Sequence, residues 1–127
     1  MDEKEHHADL VEGITQQMKQ VLDKSEQAIY LYLDDSHKVC NKKFADMLGY
    51  KSPKEWAETE APLSDVVKED QKEVIKVYMA ASEKMNSGWA EVRFKNIKTG
   101  KIVATNMLVA PIGYSGHIIT AHFFAKS

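Results

Sequence analysis

Residues Val39–Tyr50, VCNKKFADMLGY, decide the fold class of this chain. A short apolar pair ends at Asn41, and an amphipathic run follows and ends at Gly49. An asparagine side chain can cap a helix or tie a chain corner, and a glycine can adopt the positive φ that ends a helix. The stretch therefore predicts a strand, a sharp corner and a short helix over 42–49.

The segments on both sides extend this prediction to a whole domain. Upstream, AIYLYL at 28–33 has the β-branched and aromatic content of a strand. Downstream, apolar residues at helical spacing predict a long helix over about 69–86. Three alternating strands follow, joined by hairpin turns at 98–101 and 113–116. The order predicts an α+β fold, with a five-stranded antiparallel sheet, helices on one face and an additional N-terminal amphipathic helix.

The N-terminal segment carries an apolar seam at the spacing of a helix. The members of the seam lie three or four positions apart and are Val11, Ile14, Met18 and Val21. Such a short helix is marginal in isolation, so it needs a surface to pack on. We divide the chain into an N-terminal amphipathic helix at 1–26 and a domain at 27–127. The helix packs either on its own domain or across a dimer, and periodicity does not choose between the two.

Composition narrows the class of protein. The 127 residues are 43% hydrophobic and 28% charged, as in a globular domain. The net charge of −2 lacks the basic excess of a DNA- or RNA-binding protein. The longest apolar run, Met107–Ile112, is too short to span a membrane. The acidic start is unlike a secretory signal and the single Cys40 fits a reducing compartment, so we expect a cytoplasmic protein.

Three stretches, in this order, resemble the PAS family of sensor and interaction domains. They are LYLDDSHKVCNKKFADMLGY at 31–50, LSDVVKEDQKEV at 63–74 and NIKTGKIVATNMLVAPI at 96–112. The resemblance runs from Gln27 to the C-terminus and implies a PAS-like fold with a role in sensing or signal transduction. The turn before Asn41 departs from the family pattern, since it is shorter than usual and lacks the common glycine.

The C-terminal end also departs from the family pattern. FFAKS at 123–127 stands where many PAS domains carry an Asp-x-Thr that couples to a downstream kinase or cyclase. We therefore expect a free-standing PAS-like protein that acts by association with another chain. The predicted partners are a second copy of this chain, in a homodimer, and a protein effector in trans, with no nucleic acid and no membrane.

The polar side chains predict no metal site and no enzyme. His37-x-x-Cys40 has suitable ligand types, but no second pair completes a four-ligand set, and a polar turn with a buried thiol explains it better. Asp34, Ser36 and His37 are the residue types of a catalytic triad. Neighbours on one turn, however, cannot easily align as nucleophile, base and orienting group. The histidines at 6, 7 and 117 are expected on the surface.

The interior between the sheet and the long helix is the candidate ligand site. We predict that it is lined by Leu31, Leu33, Phe44, Leu48, Val74, Tyr78, Met107, Val109, Ala121 and Phe123. The resemblance implies two cofactors that can be checked. Haem-binding relatives usually take a histidine from the long helix region, and photoactive flavin-binding relatives carry an Asn-Cys-Arg motif. Residues 69–85 contain no histidine and 55–63 contain no cysteine, so haem and photoactive flavin are disfavoured and the cofactor is unknown.

The outer face of the sheet is the candidate dimer interface. Ile119, Ala121 and Phe123 form the more apolar face of the last strand, so we expect the alternate side chains to point outward. The predicted interface comprises Val11, Ile14, Met18, Val21, Tyr30, Tyr32, His122 and Phe124. Two rivals stay open: a purely structural dimerisation module with a filled core, and a small isomerase of the ketosteroid type.

Overall fold

A computed structural model describes residues 2–127 of the chain. The helices are α1 (Glu3–Gln17), α2 (Lys19–Lys24), α3 (Lys42–Leu48), α4 (Pro53–Ala57) and α5 (Lys68–Lys84). The strands are β1 (Ala28–Asp34), β2 (His37–Cys40), β3 (Gly88–Lys95), β4 (Ile102–Tyr114) and β5 (His117–Lys126). A 3-10 turn at Pro62–Asp65 precedes α5. Within the described residues, none of these helices has the length and apolar character needed to cross a membrane.

The five strands form one antiparallel sheet in the order β2-β1-β5-β4-β3. Strand β3 shows the predicted alternation, because Ala90, Val92 and Phe94 are buried while the charged residues between them are exposed. The predicted fold class is confirmed.

Helices cover both faces of this sheet. On one face α3, α4 and α5 enclose the larger buried cluster, with Phe44, Trp56 and Phe94 inside it. On the other face α1 and α2 enclose a smaller cluster, to which they contribute Ile14 and Leu22. Strands β1 and β5 are consequently buried on both sides.

The corner between β2 and α3 is built on the side chain of Asn41. Its Oδ1 accepts hydrogen bonds from the backbone amides of Phe44 and Ile29, both at 3.0 Å. Its Nδ2 donates to the Gln27 carbonyl at 2.9 Å. Gly49 ends α3 in the left-handed region, at a φ of 86°. Capping by Asn41 and helix termination by Gly49 are both as predicted.

The N-terminal segment differs from the single helix that we predicted. It is broken at Met18, which leaves the helical region with a φ of −96° and a ψ of 9°. The break shifts the phase of the apolar seam, so that Leu22 is buried while Val21 is 47% exposed. Both helices lie on the sheet of their own chain. The division into an N-terminal segment and a separate domain stays a prediction.

Candidate ligand-binding cavity

A cavity of about 230 Å³ lies between α5, the 3-10 turn and the sheet. Helix α5 lines it with Val74 and Tyr78, strand β4 with Met107, and strand β1 with Tyr30 and Tyr32. Most of this wall is apolar or aromatic. A cavity of this kind suits a small molecule with a mainly apolar surface.

His122 is the least exposed polar residue that lines the cavity. Its side chain is only 1% exposed and stacks on the ring of Tyr30, with 4.0 Å between the ring centroids. Burial lowers the pKa of His122 to about 3, so the ring is neutral at physiological pH. Within the described chain its Nδ1 is buried without a hydrogen-bond partner. Such an atom is costly to leave unpaired.

The other ring nitrogen of His122 is held by Thr120. The Thr120 hydroxyl lies 2.9 Å from Nε2 and donates to the Tyr32 carbonyl at 3.3 Å. A hydroxyl has a single proton to donate, so it accepts from the Nε2–H of the ring. In this tautomer Nδ1 carries the free lone pair. The ring of His122, which lines the cavity, therefore carries one buried hydrogen-bond acceptor without a partner.

A tyrosine and an acid meet at the mouth of the cavity. The hydroxyl of Tyr32 donates to the carboxylate of Asp35, which is exposed. The Tyr32 ring also contacts the edge of Tyr78, with 5.2 Å between centroids. Burial raises the pKa of Tyr32, and the hydrogen bond to Asp35 raises it further, so this phenol stays protonated. The mouth is thus the negatively charged part of the cavity.

The segment that closes the cavity is held by buried polar contacts. Lys38 is buried, and its ammonium donates to the carbonyls of Asp35, Ala57 and Thr59. These bonds tie the end of β1 to the chain that leaves α4. Farther along, the side-chain amide of Gln71 donates to two carbonyls of the segment before α5, each at 3.1 Å. The cavity rim is therefore fastened to the sheet at one end and to α5 at the other.

Comparison with solved structures identifies the fold. The PAS domain of an HTR-like protein from Haloarcula marismortui superposes with a TM-score of 0.68 at 11% identity, over 97% of this chain and 99% of that chain. The PAS domain of a protein from Colwellia psychrerythraea superposes with a TM-score of 0.70 at 19% identity, over 90% of this chain and 97% of that chain. The chain has the PAS fold.

A third PAS structure has a similar fit. It is the N-terminal domain of a diguanylate cyclase with a PAS/PAC sensor from Marinobacter aquaeolei, with a TM-score of 0.62 at 19% identity over 78% of this chain and 94% of that chain. Comparison with models of protein families finds no match. Comparison with curated protein sequences finds none either. The PAS resemblance is thus confirmed at the level of fold.

The PAS core contains part of the predicted pocket. Val74, Tyr78 and Met107 line the cavity. Phe44, Leu48 and Val109 are buried in the same cluster, behind the cavity wall. The remaining four, Leu31, Leu33, Ala121 and Phe123, lie on the opposite face of the sheet, in the cluster under α1 and α2. Their predicted placement facing α5 is wrong.

The sheet residues predicted for the dimer interface are misplaced in the opposite direction. Tyr30, Tyr32 and His122 line the cavity instead of the outer face, and Phe124 is buried on the same side. The reason is that helices cover both faces of β1 and β5, so both faces need apolar residues. The more apolar face of these two strands meets α1 and α2, not α5. The aliphatic face packs against the N-terminal helices, while the aromatic face with its polar tips finds hydrogen-bond partners around the cavity. Whether either set binds a ligand or a partner stays a prediction.

Several cavity residues were missed by the sequence analysis. They come from the 3-10 turn, from the exposed side of α5 and from β3, and are Pro62, Leu63, Val66, Ile75, Met79 and Phe94. A signal for two of them was present, since Ile75 and Met79 directly follow Val74 and Tyr78 and widen the apolar stripe of the helix. No comparable signal marks the 3-10 turn, because it has no regular hydrophobic period.

Proposed function

We propose that this protein is a non-enzymatic sensor module whose cavity binds a small, mainly apolar molecule and whose output is association with other protein chains. The observation that carries the proposal is the cavity with its mainly apolar and aromatic lining, in whose wall the buried ring of His122 has an unpaired Nδ1. A ligand that donates one hydrogen bond would satisfy this atom once the ring turns to expose it. The description of one structural neighbour as part of a diguanylate cyclase with a PAS/PAC sensor supports a sensory role.

The cavity narrows the chemical class of the ligand. Its volume of about 230 Å³ is below the roughly 300–1,000 Å³ of sites for drug-sized molecules. A neutral aromatic or heteroaromatic molecule with one N–H or O–H donor fits best, because three tyrosine rings and the neutral His122 surround the space. The exposed Asp35 at the mouth disfavours an anion. Haem and photoactive flavin, disfavoured already by the missing histidine and cysteine, are also too large for a cavity of this volume.

Association through the outer face of the sheet is the proposed output. Trp89 and Leu108 are cross-strand neighbours there, and Leu108 pairs in turn with Phe123. Trp89 is 65% exposed and Leu108 is 50% exposed. We define this row, Trp89, Leu108 and Phe123, as the outer patch. It suits a homodimer contact or the binding of a protein effector in trans. We propose a cytoplasmic location for the protein, with no nucleic-acid and no membrane partner.

Two rival functions are less well supported. A dimerisation module with a filled core would not need the cavity or the unpartnered nitrogen of His122. An isomerase of the ketosteroid type would need a carboxylate held in an apolar site. The acid among the cavity-lining residues, Asp35, is exposed and is hydrogen-bonded to Tyr32 instead of Tyr78. Turnover of a ketosteroid that is lost on Tyr78→Phe would favour the isomerase.

A pair of matched probes tests the sensor proposal. Indole carries an N–H donor, and indene has nearly the same shape without it. We expect indole to raise the Tm of the protein more than indene does, because only indole can donate to His122. In His122→Phe the difference between the two probes should disappear.

Matched variants show whether the probes occupy the cavity. Met107→Trp fills it, whereas Leu108→Trp enlarges the next residue on the opposite, exposed face. We expect Met107→Trp to abolish the Tm response and Leu108→Trp to retain it. A response that survives in Met107→Trp, or no response to either probe in the parent, would contradict the proposal.

A further inference from the structure

Four of the five histidines of the chain gather at one end of the molecule. His6 and His7 come from the first turns of α1, His37 from the start of β2 and His117 from the start of β5. The rings of His7 and His37 have centroids 5.6 Å apart, and those of His6 and His117 are 4.9 Å apart. The four rings therefore come together from three separate parts of the chain.

Asp34 lies at the centre of the group. Its Oδ2 is 2.7 Å from Nδ1 of His7, and its Oδ1 is 2.7 Å from Nδ1 of His37. The two imidazoles are mostly shielded from solvent, with side chains 17% and 14% exposed. The carboxylate of Asp34 is therefore held between the two imidazole rings, with one oxygen on each.

We propose that His7, Asp34 and His37 bind one divalent transition-metal cation of the zinc class. The three ligand atoms lie within 4.8 Å of one another. Tetrahedral zinc with bonds of about 2.0–2.2 Å holds its ligand atoms roughly 3.4 Å apart. The site reaches that spacing by small side-chain rotations from the present hydrogen-bonded arrangement. Solvent water completes the coordination, as in sites with three protein ligands.

The ligand types select the kind of metal. Two imidazoles and one carboxylate suit Zn²⁺, Co²⁺ and Ni²⁺, whereas Mg²⁺ and Ca²⁺ prefer oxygen ligands alone. Metal binding at Nδ1 replaces the contacts between these atoms and Asp34, and it requires the ring tautomer that carries its proton on Nε2.

Metal binding at this place would act on the N-terminal helix. His7 belongs to α1, while Asp34 and His37 flank the turn between β1 and β2. A cation shared by the three joins the start of α1 to the sheet. The metal would then add to the apolar contacts that already hold this helix on the sheet.

The test uses the full chain without a histidine tag and Zn²⁺ alone as the probe. Isothermal titration should give one Zn²⁺ per chain, with no competition by Mg²⁺. We expect His7→Ala, Asp34→Asn and His37→Ala each to weaken binding by at least about tenfold, as loss of a direct ligand requires. The matched controls are His6→Ala and Asp35→Asn, which remove the neighbouring imidazole and the neighbouring acid. Both should keep the parent affinity.

A measurement on the parent protein covers the case of a variant that fails to fold. In long-range ¹H–¹⁵N spectra of the histidine rings, Zn²⁺ should shift the nitrogens of His7 and His37 and leave those of His122 unchanged. Absence of one-to-one binding at micromolar Zn²⁺ would overturn the proposal. So would undiminished binding by His7→Ala, or an equal loss in His6→Ala.

Discussion

Asn41 is the residue that joins three parts of the chain. Its amide serves two backbone donors and one backbone acceptor, which belong to β1, α3 and the segment that enters the sheet. Asn41 is 4% exposed, so water cannot readily replace these partners. The fold places a polar side chain in its core here because the chain must turn sharply between β2 and α3.

We expect Asn41→Ala to lower the free energy of unfolding by about 2–4 kcal/mol, since it removes a helix cap and leaves two buried backbone amides and one partly buried carbonyl unpaired. Urea denaturation followed by circular dichroism measures the change. Asn41→Asp is the matched control, because it keeps the Oδ acceptor for both amides and replaces only the donor to Gln27, by an oxygen that repels that carbonyl. Its loss should be smaller than that of Asn41→Ala. An alanine variant as stable as the parent would show that the corner does not depend on this side chain.

At the scale of elements, Gly13 controls how closely α1 approaches the sheet. A Cβ at this position would overlap the hydroxyl oxygen of Tyr114 and would lie 3.2 Å from its Cζ. Tyr114 is half-buried in the cluster under α1 and ends strand β4. The glycine therefore serves close packing inside a helix, at some cost in helix propensity.

Two opposing effects decide the outcome of Gly13→Ala. The better helix propensity of alanine is worth about 1 kcal/mol, and the overlap with Tyr114 costs about 1–3 kcal/mol. We expect a net loss in the free energy of unfolding, measured by urea denaturation. In a Tyr114→Phe background, which removes the overlapping hydroxyl, Gly13→Ala should be neutral or stabilising. A stabilising Gly13→Ala in the parent would mean that α1 is not held against Tyr114.

At the scale of the whole molecule, the helices cover the two faces of the sheet unequally near β3. Helices α1 and α2 cover β1 and β5 but leave the outer patch of Trp89, Leu108 and Phe123 partly open to solvent. Ile14, by contrast, is 4% exposed. An Ile14→Asp variant would damage the protein's own core, so the outer patch is the better place to test the homodimer.

We expect the parent to sediment as a dimer and Leu108→Lys to sediment as a monomer, because a buried lysine ammonium without a partner opposes association. Ile97→Lys is the matched control. Ile97 and Leu108 are both 50% exposed, but Ile97 follows β3 and lies outside the outer patch. Sedimentation velocity over a range of concentrations measures both. A monomeric parent, or a dimeric Leu108→Lys, would exclude this face as the contact.

The sequence by itself determined the strands, α3 and α5, and whether odd positions of one strand of a hairpin pair with odd or with even positions of the next. Asn41 and Gly49 marked the ends of α3, and β3 showed its buried face through strict alternation. The pairing of odd with even positions follows from the length of the hairpin loop. Any hairpin loop with an even number of residues pairs odd positions of β4 with even positions of β5, as the partners Met107 with Phe124 and Val109 with His122 do.

Only the tertiary structure decided which face of the sheet meets which helices. A strand buried on both sides has no polar face, so its period of two cannot tell the α5 side from the α1 side. The burial of His122 depended on Thr120 and Tyr30 being brought to it by the sheet. The grouping of His7 with Asp34 and His37 depended on the direction in which α1 crosses the outer face. Both arise from contacts between residues far apart in the chain, which local patterns of hydrophobicity and spacing do not encode.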